Sequence, residues 1–184
     1  LHQVIERRQP LRADPILLAL AQYWAAQRQG RDFPDRAEID PLGMPRSILP
    51  HLCLAEISDG GRQARYRLVG TEIVNRLGLD FTGRHASEVM TGDYHTFITS
   101  MFRAVCEYRA PIYSESQFRS DMALSRTRRL LLPLGRNHGS RVELVLMGQT
   151  WPPSDCTEMQ PLVCVLEAGG TFEETLRQVI SIPA

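Results

Sequence analysis

The stretch Arg65 to Arg84, RYRLVGTEIVNRLGLDFTGR, constrains the fold most, because its hydrophobic period changes partway along. Tyr66, Leu68 and Gly70 alternate with Arg65, Arg67 and Val69, the period of two expected of a strand in a half-solvated sheet. At Gly70-Thr71 the period switches. Thr71 has the side chain of an N-cap, Ile73, Val74 and Leu77 share one side of a short helix, and Gly78 stops it. Asp80 to Arg84 then predicts a turn, with Asp80 and Arg84 bracing it, ahead of another short helical piece.

The flanking chain fills in the rest. Asp14-Pro15 is an N-cap followed by proline at the first helical position, and Leu17, Leu20, Ala21 and Trp24 form one face of a helix ending near Gly30. That face needs cover, from the outer side of a sheet or from a partner's equivalent helix. Pro34, Pro41, Pro45 and Pro50 forbid a long regular element over residues 32–50, which reads as a wrapped connection. His51 to Ser58 is a strand joined by Asp59-Gly60-Gly61 to the Arg65 strand. Asp93 is expected to cap a longer helix over Tyr94 to Tyr108. Strands follow at Ile112 to Phe118, Arg128 to Leu134 and Val142 to Trp151, the last two joined through Gly135 to Gly139. Beyond Pro152-Pro153, Leu162 to Glu167 reads as a short extended segment and Thr171-Phe172-Glu173-Glu174 as the capping box of a terminal helix.

Two hairpins separated by helices do not make the regular βα alternation of a parallel sheet. The expected class is α+β: a five-stranded antiparallel sheet with helices on one face, plus an N-terminal amphipathic helix and a C-terminal helix. The expected organisation is an N-terminal helix and wrap over 1–50, a core over 51–151 and an extension over 152–184. At 184 residues the chain suits one domain with peripheral elements, able to bury about 70% of its unfolded surface.

Several motifs together resemble a stand-alone PAS-like family of proteobacterial proteins whose function is unknown. They are Asp14-Pro15 with Trp24, the run Arg36, Ile39, Asp40 and Pro41, Ile48 to His51, Arg65 to Thr71, and Gly78 to Arg84. The resemblance covers about residues 14–151 and implies a cytoplasmic PAS domain whose interior is able to take a small molecule. Such a pocket would lie between the inner sheet face and the helices, lined by Tyr66, Leu68, Ile73, Leu77, Phe97, Met101, Leu130, Leu132, Leu144 and Leu146, with Thr82 and Arg84 at its mouth for a carboxylate. Simple core filling is the competing reading of the same apolar residues.

Chemistry beyond binding has little support. All 21 basic residues are arginine, so lysine Schiff-base and P-loop chemistry are absent, and the formal net charge of zero gives no case for nucleic acid or an anionic membrane. No apolar run reaches the roughly 20 residues of a membrane span, and no signal-peptide core opens the chain. Cys53, Cys106, Cys156 and Cys164 lack metal spacing and read as reduced thiols in a cytoplasm. The resemblance makes haem the first cofactor to test, through His95 at the start of the long helix, but an exposed first-turn histidine is the better reading; the light-sensing flavin motif is absent. His85, Ser87 and Glu88 invite a triad, though adjacency supplies no triad geometry. Arg126, Arg128 and Arg129 read as a solvated strand edge.

The expectation is a cytoplasmic, non-enzymatic sensory or ligand-binding domain, homodimeric through Leu17, Leu20 and Trp24, with an unidentified small molecule as ligand and its output in a separate protein. The alternative is a ligand-free interaction or dimerisation module. An enzyme on an α+β cone stands further off.

Overall fold

Asp14 fixes where the first helix begins. In a computed structural model describing residues 14–119, 124–152 and 171–182, its carboxylate accepts from the backbone N–H of Ile16 (3.1 Å) and Leu17 (3.2 Å), with Pro15 at the first helical position. Helix α1 (Pro15–Gln27) is thereby started, and the other oxygen of Asp14 accepts from the Thr150 hydroxyl at 2.6 Å, tying the helix to the sheet. Prolines break the following segment into three single 3-10 turns over Arg36–Glu38, Pro41–Gly43 and Leu49–His51.

The sheet then builds as β1 (Leu52–Ser58) and β2 (Gln63–Val69), three helices α2 (Thr71–Leu77), α3 (Ala86–Val89) and α4 (Gly92–Tyr108), and the strands β3 (Ile112–Arg119), β4 (Leu124–Leu134) and β5 (Leu144–Thr150). A sixth strand, β6 (Thr171–Val179), completes it. The spatial order is β2-β1-β5-β4-β3-β6, and every pairing is antiparallel. The α+β antiparallel architecture expected from the sequence is present, with six strands among the described residues in place of five.

The terminal helix expected at Thr171 is the sixth strand. Its helix-start signal is local and is overridden by pairing with β3, from Arg119 opposite Thr171 to Ile112 opposite Val179. Two smaller corrections concern caps. Gly70, not Thr71, is the N-cap of α2, and Thr91, not Asp93, precedes α4. Residues 1–13 of the expected N-terminal unit and the segment Leu162 to Glu167 lie outside the described residues, as do Cys156 and Cys164.

Helices cover both faces. On the inner face, α2, α3 and α4 close over Cys53, Ala55, Ile57, Tyr66, Leu131, Val145 and Met147. At Gly61 (φ 91°) a Cβ would sit 2.6 Å from the Arg103 backbone nitrogen, so only glycine lets the β1–β2 turn meet α4 this closely. The outer face belongs to α1, whose Leu17, Leu20 and Trp24 pack with Leu130, Leu132, Leu134, Leu144 and Leu146. Gly148 allows this approach: a Cβ there would lie 2.6 Å from Leu20 Cδ2 and 2.8 Å from Leu17 Cδ2. The Trp24 indole N–H donates to the Pro133 carbonyl at 3.0 Å.

This packing corrects the dimer assignment. Leu17, Leu20 and Trp24 are completely buried within the chain itself, so the apolar stripe that called for a partner is already covered by its own sheet. Among the described residues, no helix is long and apolar enough to cross a membrane.

Candidate functional site

The inner sheet face divides into two halves of different chemistry. On β1, β2 and β5 it is apolar up to Met147, and Tyr66 seals it with its ring edge-on to Phe81 at 4.6 Å and its hydroxyl donating to Met90 Sδ at 3.7 Å. Burial, and then the neighbouring Cys53 and Tyr94, push the Tyr66 phenol well above its usual range, and burial does the same to the Cys53 thiol. Both are protonated core groups.

On β3, β4 and β6 the same face is polar. Strand alternation sends Ser114 and Ser116 of β3 and Thr127 and Arg129 of β4 inward, and all four are buried. Gln149 of β5, opposite Arg129 in the register, extends this polar lining. Arg129 is 1% exposed; its Nη1 donates to Ser116 Oγ at 2.7 Å and its Nη2 to the Tyr94 hydroxyl of α4 at 3.1 Å. Among the described residues its remaining nitrogen, Nε, has no acceptor, and neither has Gln149 Nε2.

Aromatic rings and a second arginine surround this cluster. The Phe97 ring lies 5.4 Å from the Arg129 guanidinium carbon and 5.8 Å from that of Arg177. Phe172 of β6 packs on Tyr94 (5.3 Å) and Phe97 (4.6 Å). Arg177 is paired: its Nε and Nη2 donate to Glu174 at 2.6 and 2.9 Å, Nη2 also donates to Ser100 Oγ, and Glu174 accepts from Ser114 Oγ. A surface cleft of about 200 Å³ opens between α4 and β6, lined by Ser100, Glu107, Ile112, Arg177 and Val179 among others.

The sequence-derived lining is only partly gathered here. Tyr66, Ile73, Leu77, Phe97 and Met101 belong to the inner core. Leu130, Leu132, Leu144 and Leu146 face the other way, under α1, because β4 and β5 are apolar on both faces and apolarity alone does not decide which side points in. Leu68 is 43% exposed at the β2 edge, on the outer face opposite Leu54. Arg84 is exposed and donates to the Glu88 carbonyl, bracing α3 rather than lining a mouth. Exposed Thr82 donates its backbone N–H to Asp80, which holds the Asp80 carboxyl below its ordinary range.

The solvated-edge reading of Arg129 is corrected. Arg126 is exposed and Arg128 half-buried, but Arg129 is interior because β4 is a central strand. The signal was there in the alternation Thr127, Arg129, Leu131. His95 is half-buried along α4 beside Thr99, outside the buried stripe of Tyr94, Phe97, Ile98 and Met101. Glu88 accepts from the His85 backbone N–H at 2.6 Å, a capping contact at the start of α3.

A larger surface cleft, about 270 Å³, lies between the proline-rich wrap and the β4–β5 connection, with Arg31, Asp32, Asp35, Arg109 and His138 in its walls. Its charges are already paired, Arg31 with Glu38 at 2.6 Å and Arg109 with Asp32 at 2.8 Å, while Asp35 accepts from the His138 backbone N–H. Among the described residues, no group of three or more His, Cys, Asp or Glu side chains is arranged to hold a metal ion.

Comparison with curated proteins gives no match. A family model described as a PAS domain matches residues 12–148, from the start of α1 through most of β5. With three quarters of its length matched and a six-stranded antiparallel sheet carrying α2 to α4 on its inner face, the chain belongs to the PAS domain family.

Proposed function

We propose that this domain is a non-enzymatic cytoplasmic sensor. It takes a small molecule against the polar half of the inner face beneath α4 and passes occupancy to a separate partner protein. The observation that carries this reading is the buried polar set Ser114, Ser116, Thr127, Arg129 and Gln149. A core built only for stability would place apolar side chains there, because each buried polar group without a full set of partners costs about 1–3 kcal/mol. PAS membership supports a sensory or interaction module.

The readout would run through α4 and β6, since Tyr94, Phe97 and Ser100 of α4 meet Phe172 and Arg177 of β6 around the site. A ligand that favours one packing of these elements shifts their populations by its differential affinity. The Glu88 carboxylate accepts from the His85 backbone N–H and caps α3, which favours binding over catalysis by this pair.

The test is native mass spectrometry with an absorbance scan of the purified full chain, followed by hydrogen exchange with any molecule released. A stoichiometric added mass whose binding slows exchange in α4 and β6 is expected. A bare protein that no metabolite protects would leave the second reading, a ligand-free interaction or dimerisation module. That reading draws on Leu68, left half-exposed on edge strand β2.

A further inference from the structure

We propose that Arg129, Gln149, Tyr94 and Ser116 form an anion subsite for the carboxylate of a small, otherwise apolar molecule. The inference rests on the sensory reading and narrows its ligand. A guanidinium stays protonated at any physiological pH, so Arg129 carries its charge into the core. Two of its nitrogens each donate to a neutral hydroxyl, and the third has no acceptor among the described residues.

Charge counting gives the same result. The polar half holds two arginines, Arg129 and Arg177, and one carboxylate, Glu174, whose two oxygens are taken up by Arg177 and Ser114. One positive charge therefore has no counter-ion among the described residues. The faces of Tyr94 and Phe97, 6.0 and 5.4 Å from the Arg129 guanidinium carbon, offset part of the desolvation. They do not supply an acceptor for Nε.

Gln149 is the independent observation. It pairs with Arg129 across β4 and β5, so both side chains leave the sheet on the same face. Its Nε2 is also buried and also lacks an acceptor among the described residues. Two neighbouring orphan donors, one of them charged, call for one anionic acceptor.

The surroundings set its class. One surplus charge matches a monoanion, whereas a phosphate dianion would leave a buried negative charge. The planar guanidinium fork fits a carboxylate. Phe97, Met147 and Leu131 supply an apolar wall for the body of the molecule. Phe172 is the element that must yield for entry, because it is half-exposed on edge strand β6 and its ring lies over Tyr94 and Phe97.

The experiment is calorimetric titration and thermal unfolding of the full chain with butyrate and benzoate, with butyramide and benzamide, and with inorganic phosphate. The acids should bind about 10- to 100-fold more tightly than their amides, the difference a charge-assisted hydrogen bond makes. R129M should abolish that preference, Q149L should reduce it, and F172A should speed acid binding. Equal binding of acid and amide, or acid preference surviving in R129M, overturns the subsite and leaves the sensor standing. Phosphate binding as tightly as benzoate overturns the carboxylate assignment. No binding by any probe, with bare protein in the native mass spectrum, overturns the subsite and the sensory reading together. The acid-to-amide ratio in the wild-type protein and in Q149L decides the matter even if R129M fails to fold.

Discussion

Arg129 and Gln149 stand opposite one another on β4 and β5, and each carries a buried nitrogen, Nε of Arg129 and Nε2 of Gln149, without an acceptor among the described residues. Orphan buried donors are rare in folded proteins, and the proposed subsite rests on two at facing positions of one sheet face.

Without ligand, the Arg129 charge should not add to stability. Replacing a buried, uncompensated charge by an apolar side chain of similar length removes a desolvation penalty, though Ser116 and Tyr94 each lose a donor. R129M should therefore match or exceed wild-type stability, by up to about 3 kcal/mol, in urea unfolding of the ligand-free protein. A loss of more than about 2 kcal/mol would mean that the arginine is a structural brace.

Helix α1 should behave as part of its own subunit's core. Trp24 is fully buried, and its indole N–H bonds to Pro133. W24A should cost about 3–5 kcal/mol, and the loss should be the same at every protein concentration. G148V, which forces a side chain into Leu17 and Leu20, should cost about 1–3 kcal/mol. A W24A penalty that grows on dilution would restore a dimer contact to this face.

Acid should loosen the proline-rich wrap first. Asp35 and Glu38 are opposed by burial yet held below their ordinary values of 3.8 and 4.5, Asp35 by the backbone N–H groups of His138 and Ala37 and Glu38 by Arg31. Lowered folded-state values mean that this stabilisation is fully present above the unfolded-state values. It fades as pH falls through about 4.5 and below. D35N should flatten the acid limb of a stability–pH curve measured by urea unfolding. An unchanged limb would remove Asp35 from the account.

Cysteine reactivity should report unfolding. Burial raises the Cys53 thiol far above its usual range and Cys106 more modestly. Peptide mapping after alkylation at neutral pH should find Cys53 unlabelled in the native protein, Cys106 labelled slowly, and both labelled in urea. Rapid native labelling of Cys53 would place it in a different environment.

Much of the fold was legible because its signals are local. The Asp14-Pro15 cap, the change of period at Gly70, the prolines of the wrap and the stripe of α4 each act within a few residues, and each appears in the structure. The site was less legible. Phe97 and Tyr66 were recoverable from periodicity, but on β4 and β5 the apolar residues are consecutive, so Leu130 and Leu131 looked equivalent although they face opposite cores.

By itself the sequence determined the α+β class, most element positions and the family resemblance, because caps, turns and amphipathic periods are written in neighbouring residues. Only the tertiary structure decided three things: that β6 is a strand, that α1 is covered by its own sheet, and that Arg129 is buried beside Gln149. Each depends on a partner far away in the chain. Strand pairing overrides a local capping signal, and burial is conferred by what packs on a residue rather than by the residue itself.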